Sequence, residues 1–384
     1  MFLNTFLNAK GILTNFALLS LFVLTTIFIL NYKIGLFILI ILRVGLDYFR
    51  EWDIFTVKDY FTLNFGAVLG IFILVFTLCW IIAKTKEIFK TPNILIIFLF
   101  LFISLISILY SQNQFAALEE LVRICSFFAI YFLTFNLIKT KYDLQLARKI
   151  FLVSAIIPFF FGLWQIIAKT GLADESGFLR IYGSFAHPNA FSYFLVIILT
   201  LLIYFFITEE NQKTKILYLL FIILNFILLV FTYSRGAWLA FATILLLLGI
   251  LKYRKLLFKS LITIILFIIL IVSVDLFFPN YNSSYFLNFN PSRRIIESFS
   301  LNHNSSISWR IELWQEMADV FWKKPFLGHG IGSFEQECLK ATGFYTGSYE
   351  AHNDYLRLAI ELGLIGLTIY VLLILIILKN IIKI

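Results

Sequence analysis

Apolar runs of membrane-crossing length follow one another along most of this chain, separated by short polar connections. They fall at 11–31, 61–82, 93–111, 121–138, 148–168, 188–207, 214–232, 236–251, 257–277 and 355–378, with a shorter run at 34–46. About 20 helical residues cross a hydrocarbon core roughly 30 Å thick, so each long run predicts a membrane-spanning helix. The ten-residue alternation of an outer-membrane barrel is absent. The pattern therefore predicts an all-α fold, a polytopic transmembrane bundle of about 10–12 helices forming one integral membrane domain over 1–384. The run at 34–46 either spans or lies re-entrant. The first run is too long for a signal-peptide core and lacks a small-residue cleavage site behind it, so it is expected to stay in the mature protein.

Composition excludes a soluble globule: 61% of residues are hydrophobic and 14% charged, with a mean hydropathy of +0.94. The net charge of +9 does not point to nucleic acid, because the basic residues are scattered over inter-helix loops rather than gathered in one stripe. They read as topology. Every second loop is basic, from Lys84, Lys86 and Lys90 to Lys379 and Lys383, which makes those loops cytoplasmic. All four histidines and Arg180, Arg235, Arg293, Arg294 and Arg310 then fall on the outer side. Helix middles carry almost no ionisable residues, unlike those of ion-coupled transporters. The chemistry is thus expected at the outer interface. Cys79, Cys125 and Cys338 suggest neither a disulfide nor a metal site.

One long outer segment, 278–354, interrupts the pattern. It opens on "FPNYNSSYFLNFNPSRR", an irregular polar stretch. From Ser308 to Trp322, apolar residues at spacings of three and four predict an amphipathic helix ended by Pro325. "PFLGHGIGSF" follows; a plain turn fits it better than a phosphate-cradling loop, because no strand precedes it and no clear helix is expected after it. Glu350, His352, Asn353, Asp354, Arg357 and Glu361 then crowd the start of the last apolar run. Polar groups are expensive in hydrocarbon, so this cluster marks a functional position.

"TYSRGAWLAF" at 232–241, "SWRIELWQEMADVFWKKPFLGHGIGSF" at 308–334 and "HNDYLRLAIELGLIGL" at 352–367 resemble the bacterial O-antigen ligase and polymerase superfamily. "YGSFAHPNAFSYF" at 182–194 and the long outer loop before a late helix agree with it. The resemblance implies a glycosyltransferase of the bacterial inner membrane that works at the periplasmic face. Its donor would be an undecaprenyl-diphosphate-linked glycan and its acceptor lipid A-core, in a ligase, or another lipid-linked glycan, in a polymerase. No nucleotide sugar and, for the ligases, no metal or other cofactor is implied. The resemblance assigns three catalytic positions: Arg235, Arg310 and His352.

Each has its own physics. Arg235 closes an apolar run, where an arginine either anchors the helix end by snorkelling or clamps a diphosphate bidentately. Arg310 is expected in the first turn of the amphipathic helix, either on a solvated face with Glu312 and Glu316 or holding an anion. His352 precedes a helix that Asn353 or Asp354 can cap, and the positive end of that helix would keep the imidazole neutral and able to accept a proton. Arg357 and Glu361, spaced i and i+4, are expected to pair. As substrate contacts we read His187 with Tyr182 in the "AHPNAF" region, Arg293 and Arg294 beside Arg310's electrostatic task, and Arg357.

Two other readings stay open. A metal-dependent oligosaccharyltransferase could use Asp47, Glu51 and Asp53 of "LDYFREWDIF". A non-enzymatic exporter of lipid-linked glycans would need polar residues across the bilayer, whereas this chain concentrates them on one side.

Overall fold

The computed structural model describes residues 23–50, 52–57, 61–84, 90–173, 179–251, 306–342 and 350–382. The expected span at 257–277, Arg293, Arg294 and the polar opening of the long outer segment lie outside these residues. After a helical stretch over 23–30, the elements in chain order are α1 (Tyr32–Gly45), β1 (Asp53–Val57), β2 (Phe61–Asn64), α2 (Phe65–Ala83), α3 (Ile94–Ser107), α4 (Gln114–Leu137), α5 (Lys141–Ser154) and α6 (Ile156–Ala168). There follow β3 (Leu172–Ala173), β4 (Leu179–Arg180), α7 (Pro188–Thr208), α8 (Gln212–Phe231), α9 (Arg235–Leu251), α10 (Ser306–Lys323), α11 (Phe334–Thr342) and α12 (Asp354–Ile382). The strands form two short antiparallel pairs, β1 with β2 and β3 with β4.

Among the described residues, five stretches are long and apolar enough to cross a membrane: Phe65–Ala83, Lys141–Ala168, Pro188–Thr208, Gln212–Phe231 and Asp354–Asn380. Ile94–Tyr110 and Arg235–Ile250 are shorter apolar helices. The chain is a multi-pass helical membrane protein. Two of its features depart from an unbroken rod. Asn31 ends the stretch before α1 and caps α1, accepting from the amides of Lys33 and Ile34, so the run at 34–46 lies in a separate 14-residue helix, about 21 Å long and short of a full crossing. Lys141–Ala168 restarts at Ile156 because Pro158 has no N–H to offer the carbonyl of Ser154.

The described residues divide into two compact units. One takes Met1–Trp52 and Thr140–Ser300. Its centre is α7, whose Phe191, Leu195, Ile198 and Leu199 are fully buried against Leu228 of α8 and Ala237 of α9. A helix apolar all round belongs in such a central position. Lys33 of α1 bonds Asp143 of α5 at 2.6 Å, and Asp143 also completes a capping box with Thr140.

The other unit takes Asp53–Lys139 and Leu301–Ile384. There α2 packs on α4, α3 on α12, and α10 on both α11 and α12. Its organising feature is a break in α12 at Gly363, which sits at φ 64° and ψ −168°. The loop between α10 and α11 docks onto that break. The amides of Leu364 and Ile365 donate to the carbonyls of Pro325 and Phe326, and the amides of His329 and Gly330 donate to the carbonyls of Ile360 and Glu361. Two carbonyls before the break and two amides after it are thus re-paired inside the protein, which hydrocarbon favours.

Side chains lock the same loop. Tyr110 donates to the Leu327 carbonyl at 2.8 Å, Ser111 to that of Ile331 at 3.1 Å, and Ser107 accepts from the Ile331 amide at 3.1 Å. The nine-residue helix α11 begins directly after the loop, contrary to the expectation that no clear helix follows. The short polar stretch FEQECLKAT becomes helical by burying Phe334 and Cys338 against Leu313, Met317 and Val320 of α10, a gain local pattern does not reveal.

A Cβ on Gly363 would collide with the Phe326 carbonyl, and φ 64° already disfavours any L side chain. Gly363→Ala should therefore lower stability by about 2 kcal/mol or more. Gly70→Ala, where the nearest atom to a new Cβ is 3.7 Å away, should not. Thermal unfolding of the two variants in detergent distinguishes the cases.

Candidate active site

The candidate residues gather in two groups, one in each unit. In the unit containing α10 and α12, the helix α10 starts at Ser306, two residues ahead of the expected Ser308. Arg310 consequently begins the second turn instead of lying in the first, so the helix-end field acts on it less than the sequence implied. It is not part of a solvated charged face. It is half-buried, and its Nε is enclosed without a hydrogen-bond partner. Among the described residues it forms no ion pair, while Glu312 and Glu316 point to solvent.

His352 occupies the connection into α12. Asn353 caps that helix, its Oδ1 accepting from the amides of Tyr355 at 3.1 Å and Leu356 at 3.3 Å. The imidazole meets the ring of Trp309 edge to face, with centroids 5.6 Å apart, and Glu350 lies 3.8 Å from its Nδ1. The backbone at His352 is left-handed, with φ 47°. Non-glycine residues in this conformation concentrate where the surroundings impose a particular side-chain direction.

Burial holds the His352 imidazole below the usual histidine range, the Arg310 charge pushes it further down, and Glu350 opposes them in part. The shift is in the direction the sequence implied, with burial as its first cause and the Arg310 charge as its second.

Behind His352, Arg357 pairs with Glu361 at 3.2 Å and with Glu120, which also accepts from Arg123 at 2.6 Å. The expected pair between Arg357 and Glu361 is present, and Glu120 joins it from α4. Glu361 further accepts from the Phe334 amide at 3.4 Å, so this cluster ties α12 to α4 and to the start of α11. His329 is likewise structural. Its Nε2 lies 3.1 Å from the Val320 carbonyl and its Nδ1 3.5 Å from Glu337.

In the other unit, Arg235 is the first residue of α9, and its turn is stitched to the loop that carries Tyr182 and His187. The Ile181 amide donates to the Phe231 carbonyl at 3.2 Å. Arg180 donates from Nε to the Thr232 carbonyl at 2.9 Å and from its other end to Asn189 Oδ1 at 2.6 Å, which also accepts from Ser234 at 3.2 Å. The motifs "TYSRG" and "YGSFAHPN" thereby become one substructure. Sequence reasoning missed Arg180 and Asn189 as its links. A charged residue and an amide flanking a short glycine-bearing loop were the available signal.

His187 caps α7, its Nδ1 accepting from the Asn189 amide at 3.0 Å, with Pro188 in the first turn. Tyr182 stacks on Tyr48 at 6.0 Å, and its amide is held by Gln165 at 2.9 Å. Asp47, one carboxylate of the metal-dependent reading, is buried, paired with Arg43, and accepts from the Ala186 amide at 3.3 Å. Glu51 lies outside the described residues, and the side chain of Asp53 is likewise not described. Among the described residues no three His, Cys, Asp or Glu side chains gather as a metal site.

The fold is that of a multi-pass membrane protein, in which a histidine with a lowered pKa lies next to an arginine between an amphipathic loop helix and the start of a broken final helix. Residues 219–371 match the O-antigen ligase family model, in agreement with the superfamily that the motifs resemble. The matched segment holds Arg235, Arg310, His352 and Arg357 and leaves Tyr182 and His187 outside it. No curated protein matches the chain. The family comprises ligase- and polymerase-type glycosyltransferases that act on lipid-linked glycans.

A histidine can accept a proton only when neutral, so any such role for His352 would be complete above its depressed pKa and lost as pH falls through it. Nuclear magnetic resonance of isotope-labelled histidine, with His352→Ala to assign the signal, should show His352 titrating below ordinary histidine. In Arg310→Gln the midpoint should move up, since that variant removes one of the two influences holding it down.

Proposed function

We propose that this protein is an inverting, metal-independent glycosyltransferase of the O-antigen ligase type. It moves a glycan from undecaprenyl diphosphate to a hydroxyl of lipid A-core at the periplasmic face of the inner membrane. The observation that carries this reading is the His352 imidazole, packed against the Trp309 ring and held below the usual histidine range by burial and the Arg310 charge, next to an Arg310 whose Nε has no hydrogen-bond partner among the described residues, inside the segment that matches the family.

His352 takes the proton from the acceptor hydroxyl as its oxygen attacks the anomeric carbon. The new glycosidic bond forms on the face opposite the departing carrier, and the bond from that carbon to the diphosphate oxygen breaks. Its electron pair leaves with the diphosphate. Arg310 offsets the charge that develops there, an effect strongest in a water-poor site. Arg235, in the other unit, is proposed as a diphosphate clamp in its own right, a task for which a guanidinium fork is suited. Arg357 acts through its carboxylate partners, holding the start of α12 and with it His352. Tyr182 and His187 are proposed as contacts to the sugars, and Arg293 and Arg294 as further charges for the carrier.

A polymerase reading uses the same residues, and the family match supports it too, since the family includes both activities. A deletion strain separates them: unattached full-length surface polysaccharide indicates a ligase, single-repeat products a polymerase.

With purified protein and lipid-linked donor, His352→Ala should lower transfer by at least about a hundredfold while the protein remains folded. His352→Gln should be nearly as poor, because an amide accepts a hydrogen bond but does not usefully hold a proton. Near-normal turnover in the Gln variant would remove the base role. Arg235→Ala should abolish transfer and Arg235→Lys keep a part of it, because an ammonium supplies the charge without the fork.

A further inference from the structure

Two tryptophans ride on α10 on the side that faces the start of α12, and their indole N–H groups meet different fates. That of Trp314 donates to the Ala351 carbonyl at 3.0 Å. That of Trp309 is enclosed and finds no acceptor. The Nε–H of Arg310, the next residue, is also enclosed and without an acceptor. A buried donor left unpaired costs about 1–3 kcal/mol, and more for a charged group. Native interiors rarely keep such a group without a reason, and here two stand on consecutive residues. Both adjoin the candidate base: the Trp309 ring packs against His352 with centroids 5.6 Å apart, and the Arg310 charge acts on the same imidazole.

We infer that Trp309 is a substrate-contacting residue whose indole N–H joins the Arg310 Nε–H in a two-donor subsite for a phosphate oxygen of the lipid-linked diphosphate. This deepens the glycosyltransferase reading and rests on it for the identity of the anion. The chemistry of the donors narrows the ligand. Both groups only donate, so their partner must accept. One is a cation with no ion pair among the described residues, so a neutral sugar hydroxyl would leave its charge uncompensated. An oxyanion answers both demands. Phosphate and a sugar carboxylate share that chemistry, and phosphate is favoured because the leaving group must sit within reach of the anomeric carbon that His352's acceptor attacks.

The test measures binding of inorganic diphosphate to the purified full-length protein in detergent, with glucuronate as the comparison anion. The wild type should bind diphosphate in preference to glucuronate. Trp309→Phe, which keeps an aromatic ring and loses the N–H, should weaken diphosphate binding about tenfold, and Arg310→Gln about a hundredfold. Trp309→His, which restores a ring N–H, should recover part of the loss. His352→Ala should keep diphosphate binding while losing transfer, so a failure of the base assignment and a failure of the subsite give different results. Equal binding by the wild type and Trp309→Phe would overturn the proposal, as would preference for glucuronate or no diphosphate binding by the wild type. If the Phe variant does not fold, ultraviolet resonance Raman spectra of the wild type decide the matter. Added diphosphate should shift the indole N–H hydrogen-bonding signal, and an unchanged spectrum would overturn the assignment.

Discussion

The unit that carries His352 depends on one constraint: a helix broken within the apolar part of a membrane protein must have its freed amides and carbonyls re-paired inside the protein. Gly363 breaks α12, and the backbone of 325–330 supplies the missing partners on both sides of the break. Hydrocarbon offers no water to take over that task, so the loop is held to the helix by the cost of leaving it. The glycines at 328, 330 and 332 permit the close approach, each with a positive φ and with backbone where a side chain would go. A stretch that resembles a flexible turn is thereby a rigid joint.

That joint aligns the candidate site. The docked loop connects α10 to α11, and α10 packs on α12, so the orientation of Arg310 and Trp309 relative to His352 follows from the same set of bonds. The cluster of Glu120, Arg123, Arg357 and Glu361 reinforces it from α4. A balanced ionic group of this kind is costly to disrupt once buried, because removing one member strands the others. Rigidity matters for the proposed chemistry, in which a neutral base and a fixed cation must keep their spacing while charge develops on a leaving group. The cation also acts on the histidine: the Arg310 charge helps hold the His352 imidazole below the usual histidine range.

In the other unit, Arg235 owes its setting to Arg180 and Asn189, which bind the turn before α9 to the loop before α7. Arg180 attracted no role beyond its outer position when read along the chain, because its partners Thr232 and Asn189 are distant or chemically ordinary in sequence. Trp309 was invisible for a related reason. A tryptophan beside an amphipathic pattern reads as packing, and only the enclosure of its N–H without an acceptor distinguishes it from Trp314 five positions on.

What the sequence by itself determined is whatever depends on transfer free energy and local covalent geometry. Runs of apolar residues dictated membrane-crossing helices, Asn31 and Asn353 stopped or started them, and the spacing of Arg357 and Glu361 brought that pair together on one face. The loop helix before Pro325 was legible for the same reason. The tertiary structure alone decided which groups meet across long separations: the loop at 325–330 with the break at Gly363, Glu120 with Arg357, and Arg180 with Asn189 and the turn before Arg235. It also decided why the His352 imidazole is held below the usual histidine range, since burial and the Arg310 charge are properties of a neighbourhood assembled from distant elements. Periodicity records how each segment relates to the bilayer, but the pairing of polar groups inside it depends on three-dimensional proximity that no local pattern encodes.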